Sequence, residues 1–528
     1  MKKWLKIFNT ILIILSMIMF FAIGIQVGKK YDIAVDENDD YVAISYNLNE
    51  QKVRRLMSLI DNYYIDSLNT DDLVDKTIDF VTQNLDPHSI YIPKQQGESS
   101  TLAMEGFYED VGINFIKFND SVVITHSAPN SPNAKLFKLS DRILEINQHI
   151  ISTENQDSIK GYLAGKPNTQ IPIKLLRNGN EIEVLAKRTK IAQSSVPLSY
   201  MINDRLGYIK LDKFIHNSAE DFRNALSFLK KKGMKSLVLD LRDNPGGLVD
   251  AAQKIADEFL KEDQLIVYTQ DKEGKKKFRY ATGEGTFQKR PIYILINEGS
   301  ASASEILAGA IQDQDAGVII GRRSYGKGLV QKEISLGDGS KIRLTTAKYY
   351  TPTGRCIQKP YTQNDKNYVY DIRNRLASGE LYNIDSIKKI ESLRFKTPKG
   401  KIVYGGGGII PDVFIPIDTV NIGKWFYEHG LNNHLEQPIF SFIDKNHLIL
   451  EKIKEPHFVK YYSVDSLSNV LRKDINPIQN SPKELANFNT FVKASMANFI
   501  YGSRAYNQVW NSVDPMILEA IKLDNEQR

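Results

Sequence analysis

The stretch from Pro291 to Gln331 constrains the fold more than any other part of the chain. It begins Pro-Ile-Tyr-Ile-Leu-Ile, and the nearly unbroken apolar run Ile292 to Ile296 reads as a buried strand. Asn297, Glu298 and Gly299 break that run, after which Ser300, Ser302 and Ser304 alternate with Ala301 and Ala303. Ser304-Glu305 opens a helical run in which Ile306, Leu307, Ala310 and Ile311 share one face. A serine on such a strand-to-helix turn holds its hydroxyl near a helix N-terminus, where unpaired N–H groups favour negative charge. The turn is suited to stabilising an oxyanion. What it can catalyse depends on whether a base stands beside it.

The flanking sequence supplies an α/β layer. Leu206–Leu211 and the apolar Leu237–Leu241 read as strands, and Ala219–Lys232 and Val249–Leu260 as helices. Between Leu241 and Val249 runs Arg242-Asp243-Asn244-Pro245-Gly246-Gly247, whose two glycines offer bare backbone N–H groups that a substrate can approach closely. Gly317–Ile320 is a further strand, followed by Gly321–Gly328, by strands over Leu329–Leu336 and Ile342–Tyr350, and by the turn Thr351-Pro352-Thr353-Gly354. Upstream, Asn49–Asn84 has helical periodicity and ends at Leu-Asp-Pro-His-Ser-Ile-Tyr-Ile-Pro, Leu85–Pro93; polar Gln95–Thr101 reads as a mobile loop. Residues 361–400 are polar and lysine-rich, and Asn421–Arg528 is irregularly helical (Trp425–Leu435, Pro482–Phe499, Val513–Ile521) with no chemical motif. That last part reads as an extension packed on the core.

Composition removes several classes of function. With 528 residues, 42% of them apolar, the chain can build two or more cores. A net charge of +6 on scattered lysines gives no nucleic-acid stripe. Cys356 is the only cysteine, so no intrachain disulfide, cysteine-based metal site or lipid-modified N-terminal cysteine is available. The eight histidines are dispersed without His-Glu-x-x-His, and neither a metal nor a cofactor is called for. Lys2, Lys3 and Lys6 precede an apolar run from Phe8 to Val27, closed by Gly28, Lys29 and Lys30. This suits one membrane helix with a cytoplasmic N-terminus, and no Ala-x-Ala site follows it. An uncleaved anchor is expected, with an acidic linker from Tyr31 and the rest of the chain outside the cytoplasm.

Two motifs are decoys. Gly321-Arg-Arg-Ser-Tyr-Gly-Lys-Gly328 nearly spells a phosphate loop, but Gly328 replaces the magnesium-binding hydroxyl and a strand follows where a helix is required. Ser386-Ile-Lys-Lys389 is a bare Ser-x-x-Lys without its partner motifs. Ser302 with Lys327 is a better pairing. A serine needs a base to become nucleophilic, and a lysine can serve once burial makes it neutral. Glycines flank Lys327, apolar Leu329 and Val330 follow, and Gln331 stands four residues on, able to hold the amine. Spacing alone leaves a surface lysine in a glycine turn as the competing reading.

Residues 105–190 carry strands around Val122–Thr125 and Arg142–Asn147, a short helix around Gln156–Leu163, and a hairpin about Asn178-Gly179. This order resembles a PDZ domain, which binds C-terminal peptides as an added strand with the carboxylate on backbone N–H groups. The carboxylate loop corresponds to Gly112, Ile113, Asn114 and Phe115, while the usual Gly-Asp is here Ser140-Asp141. Asn-Glu-Gly-Ser-Ala-Ser-Ala-Ser-Glu, Ser-Tyr-Gly-Lys-Gly-Leu-Val-Gln, Leu-Asp-Leu-Arg-Asp-Asn-Pro-Gly-Gly, Gly-Gly-Gly-Gly-Ile-Ile-Pro-Asp and Leu-Asp-Pro-His-Ser together resemble the C-terminal processing peptidases, or tail-specific proteases. The match runs from about residue 50 to about residue 415.

The resemblance implies that Ser302 is the nucleophile, Lys327 the general base and Gln331 its assistant. It implies oxyanion donors in the Ala303 N–H and in Gly246 or Gly247. Asp243 departs from the small residue or asparagine usual there, and Asp313 is expected to be structural. The implied fold is multidomain α/β. A crotonase/Clp-protease-like peptidase core (193–418) carries an inserted β-rich PDZ domain (101–192), a helical N-terminal region (49–100) and a helical C-terminal extension (419–528). Residues 1–30 form the anchor and 31–48 the linker. The expected function is a serine endopeptidase that cuts proteins near their C-termini. It is expected at the cell membrane, single-pass, on the extracytoplasmic (periplasmic) side. Its expected partners are protein substrates, the membrane, and an activating adaptor or a second copy, with no nucleic acid. A catalytically silent PDZ adaptor and an amidase or esterase acting on small molecules are the alternatives.

Overall fold

The computed structural model describes residues 48–528 except 129–130, 152–153, 362–367, 369, 418–433, 475–481 and 528. The expected anchor, nearly all of its linker and most of the expected helix Trp425–Leu435 lie outside the described residues. Among the described residues no helix is long and apolar enough to cross a membrane. The longest of them, Pro482–Tyr501, carries Lys483, Glu484 and Lys493. The expectation of single-pass membrane anchoring is corrected accordingly: the described helices give it no support.

Contacts divide the chain into Met1–Val74 and Asp75–Arg528. The first unit contains α1 (Leu48–Tyr63) and the start of α2 (Thr70–Gln83), which opens with Asp71 and Asp72 at its positive end. Val53, Leu56 and Leu59 have the expected helical spacing but are exposed.

In the second unit, β1 (Ile90–Ile92) follows the Leu-Asp-Pro-His-Ser segment, and α3 (Lys94–Glu105) occupies the place of the expected mobile loop. Tertiary contact explains that difference: a β-carbon on Gly97 would lie 2.3 Å from Gly339 O, and Lys341 Nζ donates to Thr101 Oγ1. Gly106, at φ 84°, ends the helix.

The PDZ-like part follows, with β2 (Phe107–Asp110), β3 (Ile113–Phe118), β4 (Ser121–Ser127), β5 (Arg142–Ile146), β6 (His149–Ile150), α4 (Gln156–Leu163), β7 (Gln170–Arg177), β8 (Asn180–Lys187) and β9 (Thr189–Ala192). Its antiparallel sheet has the order β3-β4-β5-β7-β8, with β6 on β5 and a separate β2–β9 ribbon. Asn178 (φ 50°) and Gly179 (φ 81°) turn the β7–β8 hairpin as expected. Ile113 of β3 shares a buried cluster with Ile159 and Leu163 of α4, and among the described residues no strand pairs with the outer edge of β3.

The next strands and helices are β10 (Leu198–Met201), β11 (Leu206–Lys210), α5 (Ser218–Lys231), β12 (Ser236–Asp240), α6 (Val249–Asp257), β13 (Leu265–Asp271), β14 (Lys276–Tyr280), β15 (Ile292–Ile296), α7 (Ala303–Asp313), β16 (Val318–Gly321), β17 (Leu329–Ser335), β18 (Lys341–Tyr350), α8 (Asp371–Ala377), β19 (Arg394–Lys396), β20 (Ile402–Tyr404) and β21 (Val413–Phe414). The central sheet, β10-β11-β12-β15-β16-β21, is parallel from β11 onward. Both its faces are covered, which is why β11, β12 and β15 are buried throughout. Ile209, Leu239 and Ile294 pack with residues of α5, α6 and α7, while Tyr208, Val238 and Tyr293 face the last helix of the chain. A second sheet, β1-β18-β13-β14 with β17 also on β18, stands beside it.

The C-terminal helices are α9 (Glu436–Leu450), α10 (Glu455–Tyr461), α11 (Asp465–Asp474), α12 (Pro482–Tyr501), α13 (Ser503–Trp510) and α14 (Pro515–Glu526). Met516, Ile517 and Ala520 of α14 cover the peptidase sheet, tied by Arg242–Asp514 and Arg205–Asp524. The remaining helices pack elsewhere, on the outer face of the PDZ-like sheet. Phe118 and Val123 share one cluster with Ile439, Phe440, Val492 and Phe499. The Phe118–Phe440 centroids are 5.0 Å apart, and Arg142 pairs with Asp444 at 2.7 Å.

Candidate active site

The β15–α7 turn distinguishes its three serines. Ser300 and Ser304 are fully buried and donate their hydroxyls to Leu241 O and Asn244 O, at 2.8 and 2.9 Å. The Ser302 hydroxyl donates to neither a carbonyl nor a side chain among the described residues. Ser302 has φ 55° and ψ −113°, a region that non-glycine residues enter at a strain of about 1–3 kcal/mol. The geometry lifts this one side chain out of the buried turn.

The Asn-Pro-Gly-Gly turn is fastened to the serine turn, with Ala301 N–H donating to Asn244 O at 3.0 Å. Asn244 is buried and donates Nδ2 to Leu211 O, while its Oδ1 accepts Gly246 N–H at 2.9 Å. The N–H groups of Gly247 and Ala303 have no acceptor among the described residues. Asp243 is paired reciprocally with Asn297, its N–H to Oδ1 at 2.9 Å and its Oδ1 from Nδ2 at 2.8 Å. Asp313 forms a fully buried ion pair with Arg355 at 2.7 Å and accepts from Thr353, tying the Thr-Pro-Thr-Gly turn to the end of α7.

Glu305 joins the serine turn to the lysine loop. Its buried carboxylate accepts Ser302 N–H and Lys327 N–H on Oε2, both at 2.9 Å, and Gly326 N–H at 2.7 Å and Ser324 Oγ–H at 2.5 Å on Oε1. The Ser302 and Lys327 nitrogens therefore lie within two hydrogen-bond lengths of each other. Burial raises the Glu305 pKa against the opposing pull of these four donors. The Tyr349 hydroxyl adds a second link, 2.6 Å from Lys327 O and 3.1 Å from Ser302 O.

The Lys327 amine donates to Gln331 Oε1 at 2.8 Å, as its spacing suggested, and forms no hydrogen bond with Ser302 in this arrangement. A bulge between Val330 and Gln331 turns the glutamine out of register. Its Nε2 donates to His88 O, so the Leu-Asp-Pro-His-Ser segment sets the orientation of the amide. Burial lowers the Lys327 pKa, and the Arg343 cation adds to that effect. Burial and then Lys327 itself bring His88 down to about 4. The His88 ring bonds Tyr368 OH at 2.5 Å, and Asp86 accepts His88 N–H at 2.9 Å.

Sequence reasoning brought Ser302, Ala303, Lys327, Gln331 and the two glycines into one region, and the fold does the same. It missed Glu305, His88 and Tyr349 as parts of the site. Ser302-x-x-Glu305 is a capping-box pattern, which was the available signal for the carboxylate. The loop Gly112–Phe115 lies apart, in the PDZ-like sheet. Gly112 has φ 77°, and its N–H is already taken by the Asp110 carboxylate.

Comparison with known proteins identifies the domains that carry these residues. Residues 205–368 match peptidase family S41 and residues 109–187 match a PDZ domain. A carboxy-terminal processing protease, CtpB, of Bacillus subtilis is 30% identical over 58% of this chain and 65% of its own length. A probable CtpA-like serine protease of Staphylococcus aureus is 32% identical over 59% of this chain and 62% of its own. Its counterpart in Staphylococcus haemolyticus is 29% identical over 74% and 79%. The chain thus spans just under two thirds of the length of the first two relatives. It carries an S41-family peptidase domain and a PDZ domain, and its curated homologues are carboxy-terminal processing and CtpA-like serine proteases.

Proposed function

We propose that this chain is a serine endopeptidase that cuts proteins near their C-termini with Ser302 as nucleophile and Lys327 as base. The observation that carries the reading is the Glu305 carboxylate oxygen shared by Ser302 N–H and Lys327 N–H, which holds the two residues side by side. Ser302 Oγ attacks the scissile carbonyl carbon while its proton passes to the neutral Lys327 amine. The C–N bond of the adduct breaks, and the departing amine takes that proton. Lys327 then deprotonates a water, which cleaves the acyl–Oγ bond, and the proton returns to Ser302. Gln331 accepts one N–H of the amine and so directs its lone pair. The oxyanion falls to Ala303 N–H and Gly247 N–H. In support, both are unpaired among the described residues, whereas Gly246 N–H is engaged by Asn244.

Substrate C-termini add to the open edge of β3 beside α4, with Gly112–Phe115 as the carboxylate loop. The incoming carboxylate displaces Asp110 from Gly112 N–H. Ser302→Ala and Lys327→Ala are each expected to lower cleavage of an unfolded casein by at least about 10³-fold, with unchanged thermal unfolding. Wild-type rates in either variant would refute the dyad. A native chain that binds C-terminal peptides but cuts nothing would be an adaptor, and one active only on small amides or esters would be an amidase or esterase.

A further inference from the structure

The loop that carries Lys327, residues 322–328, has no regular secondary structure. Two buried charges hold its peptide groups from opposite ends. On one side Glu305 accepts Gly326 N–H and Lys327 N–H. On the other, Arg375 of α8 donates Nη1 to Arg323 O (3.0 Å) and Ser324 O (2.9 Å), and Nη2 to Tyr325 O (3.2 Å). Tyr325 C=O and Gly326 N–H belong to a single peptide unit. One peptide dipole therefore runs from the guanidinium to the carboxylate, aligned with the field between them.

Arg375 is only 2% exposed, and a buried guanidinium is unfavourable unless its donors are matched. Here three consecutive loop carbonyls and Asp371, at 2.9 Å, take the two Nη groups, while Nε makes no hydrogen bond among the described residues and has only the Glu380 carboxylate at 3.8 Å. Glu380 also holds Arg323 at 2.7 Å. Lys359 extends the support: its N–H donates to Gly326 O at 2.9 Å, and its amine bonds Asp371 at 3.1 Å. That amine sits 3.9 and 4.1 Å from the Tyr325 and Tyr368 ring centroids. A polar, lysine-rich stretch that looked featureless in sequence thus supplies the support for the base loop.

We infer that Arg375 is a positioning residue for the Lys327 base, holding the carbonyls of residues 323–325 so that the amine meets Ser302 in reacting geometry. The inference rests on the Ser302/Lys327 reading above. The test uses the full chain and a fluorophosphonate probe, which bonds to the serine oxygen with loss of fluoride. Its labelling rate is followed from about pH 6 to about pH 10, so that the acid limb reports the base. The charged and titratable groups facing Lys327 are Arg343, Glu305, Asp86 and His88, none of which is altered.

Arg375→Lys keeps the charge and loses the fork. It is expected to lower the plateau rate about 100-fold, with kcat on a peptide falling and KM retained. The acid limb should move to higher pH as the slackened loop exposes the amine. Asp371→Asn, which alters a more exposed partner of Arg375, is the second variant should the first not fold. It is expected to move both readouts the same way, by about tenfold in rate. An unmoved limb in the folded variants, with rates that are normal or fall only in step with thermal stability, would overturn the inference. Normal labelling of Lys327→Ala would instead remove the dyad reading on which it stands.

Discussion

A β-carbon at Gly246 would lie 2.7 Å from Ala301 O and 2.8 Å from both Ala303 N and Ser302 Cβ, at a φ of 97° that disfavours any side chain. The sequence marked this glycine as a place where substrate approaches the backbone. The structure adds that the serine turn itself makes the close approach. Gly246→Ala is therefore expected to push Ser302 and Ala303 N–H apart. Probe labelling should fall at least about 100-fold, with a loss of stability of about 1–3 kcal/mol. Labelling at the wild-type rate in the folded variant would show that the turn can yield. The same crowding explains why Ser302 tolerates its own strained backbone. Glu305, Tyr349 and the glycine turn hold it from three directions, so relaxation of the torsion would break contacts worth more than the strain.

At the scale of elements, strands and helices with strong periodicity were legible, because β11, β12, β15 and α7 are apolar on the faces that the layer buries. The pairing of Ser302 with Lys327 was suggested by the flanking glycines and Gln331, but only the family resemblance chose it over a surface lysine in a glycine turn. Contacts made by polar residues were not. Helix α3 is polar through its first eight residues and is stabilised by its fit to the tip of the β17–β18 hairpin, which local pattern cannot reveal. Nor did periodicity tell which surface the C-terminal helices cover. Phe440, fully buried against Phe118 and Phe499, is the centre of that contact with the PDZ sheet. Phe440→Ala is expected to remove about 3–5 kcal/mol from the joint. Limited proteolysis should then cut the PDZ part or the C-terminal helices first, while α7 and the central sheet stay protected. A digestion pattern identical to that of the native chain would mean the joint is held elsewhere.

For the whole molecule, His88 couples stability to acidity. Its folded-state pKa is drawn down from 6.5 to about 4, so between those values the unfolded chain takes up a proton that the folded chain refuses. Its contribution is fully present above pH 6.5 and is lost as the pH falls through that window. The melting temperature of wild type should fall more steeply than that of His88→Gln from pH 6.5 to 4; parallel curves would show that the ring titrates normally. His126, also drawn down by burial, is present in both chains and cancels. The carbonyl of His88 matters in another way. It orients Gln331 from a position 243 residues away in the chain, and such a contact forms only after a long loop has closed. On the proposed dyad, a half-folded chain already contains Ser302 and Lys327, yet without this contact nothing aims the amine. Cutting would thus begin only once residues 88 and 331 have met, which protects the unfinished enzyme and its neighbours from one another.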